Sequence, residues 1–401
     1  MWIKVKNLDV LLQALLFIAA MGFMQQGINI MVLVCAVIIV ADRWKLHFCG
    51  GVNTFYLLCA FAITYLVITA IHDMRGIVGI GCPIAFYLGI RANTDSEGRI
   101  KHMILLLGFG MAAHVLLNFG YELVRFGVAT LTNARHYDIW SGELSTATGM
   151  MVNGSILTAL WYYFLYYEKQ KRVKLAGLAV LLIMTVYDLV LGGRTYLVLT
   201  CMSLLVGLIM SVSMNGISRR ALNKFIKFLA LTFISILIAL VFYLIYREEI
   251  NTFFKGSYFY HRFFRTNASE SMFETSRVGA KLYYIAHMPE YLWGGGNLSR
   301  ETQLYAHELW LDIYDDAGII PYILIAIYTI VSARRAINVV RNSSFSVNFR
   351  IMIGAFYLIL LAQFFVEPVL AGAPLLVYSY CIVDGMVSSM LRRKKQQLIN
   401  G

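Results

Sequence analysis

Apolar residues run through this chain in long blocks, with no sustained alternation that would read as strands. Twelve blocks stand near residues 9–25, 27–41, 54–71, 76–91, 102–120, 147–167, 173–191, 194–213, 224–246, 318–334, 350–366 and 369–391. Most are long enough for a helix to cross the roughly 30 Å hydrocarbon core of a bilayer. The pattern predicts an all-α polytopic membrane protein of about 12 transmembrane helices, with residues 1–401 forming a single integral membrane domain. Two connections are long enough to hold structure of their own, about 121–146 and about 247–317. Both are rich in aromatics, Tyr258, Phe259, Tyr260, Tyr283, Tyr284 and Trp293 among them, which suits segments lying in the membrane interface.

The larger connection is where polar character concentrates. Between Arg247 and Ala317 stand seven Lys/Arg, ten Asp/Glu and three His. Short amphipathic helices are expected within it. Its last part, from Glu301 to Gly318, places His307, Trp310, Leu311, Tyr314 and Gly318 at the i, i+3, i+4, i+7 spacing of one helix face. Glu308, Asp312 and Asp315 fall along a neighbouring stripe. The expected element is an amphipathic helix running straight into the span at 318–334, carrying one histidine near the membrane surface. This is the expected active-site element.

Composition agrees with the blocks and excludes a soluble globular domain: 59% of residues are hydrophobic, 14% are charged, and mean hydropathy is +0.68. The net charge of +12 invites a nucleic-acid reading, but its distribution argues for topology instead. With the N-terminus inside, the even-numbered connections and both termini carry 23 of the 34 Lys/Arg, and 11 fall outside. That asymmetry predicts cytoplasmic N- and C-termini and an extracytoplasmic large loop. The opening Met1-Trp-Ile-Lys4-Val-Lys6 has no small-residue cleavage pattern, so the first block reads as a retained span. The six cysteines lie in or beside spans without C-x-x-C spacing, so neither a disulfide framework nor a metal site is expected.

A few polar residues could carry chemistry. Arg194, in the short outer turn Leu191-Gly-Gly-Arg194-Thr-Tyr, reads either as a snorkelling arginine at a helix end or as a fixed guanidinium facing an anionic headgroup. Arg277 and Lys281 are one turn apart on a predicted helix that Pro289 and Gly294-Gly-Gly296 would end. They form either a solvated face or a fork suited to diphosphate oxygens. His307 is either an interfacial structural histidine or a general base, for which its ordinary ionisation range is suited. Glu308, Asp312, Asp315 and Asp316 read better as a solvated face than as a cation site. Within the spans, His114, Asp188, Glu367 and Asp384 are ionisable; Asp384, toward the cytoplasmic end, reads as structural.

Taken together, these segments resemble the O-antigen ligase / O-antigen polymerase superfamily of bacterial envelope enzymes. His307 and Gly318, with Glu308, nine residues between and Pro321 beyond, match the His-to-Gly spacing of the ligase motif and depart from it at the second and last positions. Arg277, Pro289 and Trp293-Gly-Gly-Gly-Asn297 resemble the family's Arg…Pro…Gly-x-Gly stretch. Gly193-Arg194-Thr-Tyr resembles its Ser-Arg-Ser/Thr element, and Arg135 to Gly149, with Trp140-Ser-Gly142, resembles an outer-loop segment of polymerase-type members.

The resemblance implies a GT-C-like fold and a metal-independent, inverting glycosyltransferase without cofactor, in the bacterial cytoplasmic membrane. It would transfer polyprenyl-diphosphate-linked oligosaccharide repeat units at the outer face, for O-antigen, capsule or a similar polysaccharide. The catalytic residues it implies are Arg194 and Arg277 as clamp and charge stabiliser, with His307, or Glu308 in its place, as base. The substrate contacts are Arg135, Lys281, Arg265 and Tyr314. Implied partners are membrane lipid and the flippase and chain-length regulator of the same pathway, with no nucleic acid. Glu308, Pro321 and the Trp140 segment favour a polymerase over a ligase that transfers glycan to a lipid or protein acceptor. From a different class, a lipid-linked oligosaccharide flippase or other transporter is the alternative. Against it, polar groups concentrate in one outer loop, and no span reads as broken.

Overall fold

The computed structural model describes residues 5–41, 51–74, 76–91, 96–133, 135–215, 237–238, 241–255, 276–303 and 306–400. The first part of the bundle comprises α1 (Val5–Ala20), α2 (Gly27–Ala41), α3 (Val52–Ile71), α4 (Gly81–Arg91) and α5 (Glu97–Phe126). A two-stranded ribbon follows, β1 (His136–Tyr137) against β2 (Leu144–Ser145), then α6 (Ala147–Met151), α7 (Ser155–Ala159) and α8 (Trp161–Tyr166). Next come α9 (Lys171–Val190), α10 (Thr195–Asn215) and the amphipathic α11 (Arg247–Lys255). The large loop contributes α12 (Ser276–His287), α13 (Asn297–Thr302) and α14 (Leu309–Ala317). The chain closes with α15 (Ile319–Arg341), α16 (Val347–Phe364), α17 (Val369–Gly372) and α18 (Pro374–Asn400).

Seven of these, α3, α5, α9, α10, α15, α16 and α18, are long and apolar enough to cross a membrane. They coincide with the blocks predicted at 54–71, 102–120, 173–191, 194–213, 318–334, 350–366 and 369–391. The chain is thus an all-α protein of membrane type. The blocks at 9–25, 27–41 and 76–91 are shorter apolar helices. Most of the block at 224–246 lies outside the described residues.

The block at 147–167, expected as one helix, is instead broken into α6, a 3-10 turn over Val152–Gly154, α7 and α8. Side chains there compete for the helix's own carbonyls. Ser155 Oγ donates to Val152 O at 2.8 Å, and Thr158 Oγ1 donates to Gly154 O at 3.0 Å. Thr146 caps the start by accepting the Gly149 N–H at 3.2 Å. The segment is buried along almost its whole length, which is how an interrupted backbone is tolerated at membrane depth.

The core of the bundle is α18, buried from Leu376 to Met390 on nearly every side. Its partner α4 lies against it at backbone contact. A Cβ added at Gly89 would fall 2.0 Å from Ile382 O, and one added at Gly385 would fall 2.4 Å from Phe86 O. Small residues at such crossings let helices pack where hydrophobic burial alone gives them no advantage over lipid.

Polar contacts divide the bundle into two ends. At one end Arg335 pairs with the fully buried Asp384 at 2.5 Å and also donates to Thr54, while Tyr357 OH donates to Asp384 Oδ1 at 2.9 Å. Lys101 and Glu168 pair there too, at 2.8 Å. Arginines and lysines concentrate at this end, which the charge pattern predicts to be cytoplasmic. The opposite end carries the large loop. A reporter fused after Lys171, where α9 begins, is expected on the cytoplasmic side, and one after Ser299 on the outer side. Alkaline phosphatase and fluorescent-protein activities at the two points check this, and reversal at either overturns the orientation.

Candidate active site

The large loop is built as a clasp around the break between α14 and α15. Gly318 makes that break, with φ 76° and ψ −166°, a backbone region essentially reserved for glycine. A Cβ there would fall 2.3 Å from Leu292 O. The amphipathic helix therefore does not run straight into the span. It ends at Ala317, and the span starts afresh at Ile319 in a new direction.

The glycine run 294–296 grips this break. Its three residues all have left-handed φ, at 72°, 92° and 70°. Gly295 N–H donates to Asp316 O at 3.1 Å, Gly296 N–H to Asp315 O at 2.8 Å, and Ile319 N–H to Leu292 O at 2.9 Å. The last carbonyls of one helix and the first N–H of the next are thus satisfied by a single turn. The two motifs that resembled the family, Trp293-Gly-Gly-Gly-Asn297 and His307…Gly318, are joined here by hydrogen bonds.

His307 and Glu308 stand in front of α14 and not on it, which corrects the single-face reading of His307, Trp310, Leu311, Tyr314 and Gly318. The reason is local. Glu308 is extended, at φ −153° and ψ 149°, and caps the helix. The Asp312 carboxylate reaches back to accept the Glu308 N–H at 3.0 Å, so the helix cannot extend further toward the N-terminus. His307 itself is half-buried and has φ 55°, a left-handed conformation uncommon outside glycine.

The carboxylates of α14 are not the solvated face that the sequence favoured. Asp315 is 5% exposed and accepts the Leu298 and Ser299 N–H groups at 2.9 and 3.2 Å, across the N-terminus of α13. Asp316 Oδ2 accepts from Tyr65 OH at 2.8 Å, tying the loop to the end of α3. Burial, reinforced by the neighbouring Asp316 charge, pushes Asp312 up to about 8, and burial pushes Asp316 up to about 6. Among the described residues no three His, Cys, Asp or Glu side chains group as metal ligands would.

These carboxyls make a pH prediction with a definite sign. Because the folded-state values lie above the ordinary aspartate value of 3.8, the folded loop binds protons that the unfolded chain has already lost. The stabilisation is complete at acidic pH and falls as pH rises through about 6 for Asp316 and about 8 for Asp312. Hydrogen exchange of α14 is expected to quicken, beyond its intrinsic pH dependence, between about pH 5 and pH 8. Asp312→Asn should flatten the upper part of that rise; an unchanged profile would remove Asp312 as its source.

Arg277 and Lys281 lie on one helix as expected, α12, which the 3-10 turn at Met288–Glu290 and then the glycine run bring to an end. Lys281 Nζ pairs with Glu308 at 3.2 Å and donates to Phe365 O at 2.6 Å, at the end of α16. Trp310 packs its ring on Phe365 at 4.4 Å between centroids. Tyr314 is 1% exposed and its hydroxyl donates to Met288 O, so it holds the loop together from inside. Arg135 is exposed in a bend before β1. Arg265 lies outside the described residues.

Arg194 is exposed at the head of α10, in a turn whose glycines are required. Gly192 has φ 64°, and a Cβ at Gly193 would fall 1.8 Å from the buried Asp188 Oδ1. Asp188, Thr148, Thr195 and Gln363 line a cavity of about 10 Å³ at the start of the broken segment, with room for about one water. Gln363 is two residues from Phe365, so α16's end lies between the Arg194 turn and Lys281. The Arg194 turn and the Lys281 part of the large loop therefore lie at the same end of the bundle.

The smaller connection is anchored there by His114 and by residues the sequence did not single out. Asn118 Oδ1 accepts the Ile139 N–H and Glu122 Oε1 the Tyr137 N–H, both at 2.8 Å. His114 Nε2 meets Asp138 Oδ2 at 2.5 Å. Burial opposes ionisation of Asp138, but the His114 bond and the turn's N–H groups hold its carboxyl well below the usual range. Tyr65 and Gln363 were equally hidden, because a single polar atom inside an apolar block gives no sign of where it points.

The fold and this loop cap define a polytopic helical membrane protein with a structured, polar site at one end of its bundle. No protein-family model matches the chain, and no curated protein is similar enough to count as a relative.

Proposed function

We propose that this chain is a membrane glycosyltransferase that polymerises polyprenyl-diphosphate-linked oligosaccharide repeat units at the outer face of the cytoplasmic membrane. On this reading it has twelve spans and a GT-C-like arrangement. The observation that carries the reading is the clasp. The glycine run at 294–296 docks on the residues just before Gly318, and Lys281 reaches Glu308 beside His307. Segments that resemble one family's motifs, 24 residues apart between Gly294 and Gly318, thus form one unit.

The chemistry asked of such a site is modest. The donor carries its own diphosphate leaving group. The protein must hold it, stabilise departing charge and take a proton from the acceptor hydroxyl. Arg277 and Arg194 supply guanidinium forks for the diphosphate, in a rim where pairing counts for more than in water. His307 takes the proton, since Lys281 engages Glu308. Attack opposite the diphosphate inverts the anomeric centre. Transfer to a lipid or protein acceptor, as in a ligase, would use the same groups.

One observation favours a transporter: the interrupted segment 147–166 beside the buried Asp188 is the kind of broken helix that lines transport sites. Purified protein in nanodiscs, given polyprenyl-diphosphate repeat units, distinguishes the readings. Glycan of more than one repeat is the expected product. Repeat units left unextended, but moved between leaflets when the protein is placed in vesicles, would overturn the transferase reading.

A further inference from the structure

We infer that α12 and the Leu292–Trp293 corner of the loop are seated on the outer surface of the lipid bilayer, through one defined apolar face. Val278, Leu282 and Ile285 recur at i, i+4 and i+7 along α12 and are all exposed, Leu282 at 63% and Ile285 at 57%. Leu292 and Trp293 are exposed as well, Trp293 at 64%. The other side of the same helix is buried: Ala280 is shielded from solvent, and Tyr284 sits in the loop's own small core with Leu298, Leu311 and Tyr314. A helix with one stripe packed inward and another apolar stripe facing out needs a second apolar phase to cover it.

Continuity identifies that phase. Leu292 O accepts the Ile319 N–H at 2.9 Å, so the corner abuts the first turn of α15. From that turn onward, Ile320, Ile323, Ile327 and Ile330 form an exposed stripe along a helix long and apolar enough to span. The exposed corner of the loop therefore begins where the lipid-facing stripe of the span ends. Trp293, with an apolar ring and one N–H donor, suits the headgroup boundary at such a joint. Aromatic content pointed the whole loop toward the interface; the structure assigns the face.

Seating of this kind buries an amphipathic helix by about 5–10 Å at the headgroup boundary. Lys281 is next to Leu282, and its Nζ is held by Phe365 O and Glu308. The Lys281–Glu308–His307 group is then fixed at the height where a lipid's phosphates lie. This inference does not depend on the glycosyltransferase reading, and its test needs no activity.

The test is tryptophan quenching in full-length protein. Wild type and Trp293→Phe are reconstituted in phosphatidylcholine nanodiscs whose acyl chains carry bromine near the headgroup or near the chain ends. The difference between the two emission spectra reports Trp293. The expected result is a blue-shifted contribution, quenched at least twofold more by shallow than by deep bromine and little affected by aqueous iodide. Quenching by iodide alone would show a water-exposed corner, and quenching by neither would show a corner covered by protein; either overturns the proposal. A second variant, Leu282→Asp with Ile285→Asp, should raise iodide quenching of Trp293. If that variant fails to insert, the Trp293→Phe comparison in otherwise native protein decides by itself.

Discussion

His307→Ala is expected to give a folded, inserted protein that still binds lipid-linked donor and extends glycan about 10²–10⁴-fold more slowly, the usual cost of removing a general base. The backbone sharpens the test. His307 has φ 55°, so alanine there keeps the strain and loses the imidazole, whereas His307→Gly loses the imidazole and relaxes the strain. If the side chain does the chemistry, both variants are slow and added imidazole restores part of the rate. If the histidine only shapes the link into α14, glycine is the better tolerated and specific activity per folded molecule stays near normal in both. Glu308→Gln separates the fallback base, because it removes the ion pair with Lys281 while leaving His307 in place. A large loss in Glu308→Gln with near-normal His307→Ala would transfer the proton-accepting role to Glu308.

Arg335→Ala is expected to be the most damaging change away from that site. Asp384 has no exposed side-chain surface, and Arg335 meets it at 2.5 Å while also donating to Thr54. Removing one partner leaves a charge buried in the bundle, which typically costs about 3–5 kcal/mol. The expected readout is a sharp fall in the thermal midpoint and yield of detergent-purified protein. Replacing both partners, Arg335→Met with Asp384→Leu, should recover most of the loss, because the desolvation penalty disappears along with the attraction. If the double variant is as unstable as the single one, the pair is doing more than neutralising itself, and the hydroxyls of Tyr357 and Thr54 become the groups to change next.

The site was legible in part. Arg277 and Lys281 were placed on one helix correctly, since a 12-residue helix before Pro289 and a glycine run depends on local spacing alone. The start of α14 was misplaced because it depends on the Asp312 carboxylate turning back to the Glu308 N–H, against a periodicity that would extend the helix through His307. The carboxylates were misread for a related reason. A stripe of Asp on an amphipathic helix usually faces water, but here Tyr65, 251 positions away in sequence, and the N-terminus of α13 come to meet them.

By itself the sequence determined the material and the plan: apolar blocks of spanning length, charge divided between two sides, and one polar loop among the connections. Those features follow from bilayer thickness and the cost of moving charge across it, which act on each segment independently. Only the tertiary structure decided where the block at 147–167 breaks, how Gly318 turns the chain between α14 and α15, and which groups meet at the end that carries the large loop. Those outcomes depend on hydrogen bonds and close backbone approaches between residues far apart in the chain. A single segment's hydrophobic pattern holds no record of them, because each is settled by the partner that arrives from elsewhere in the fold.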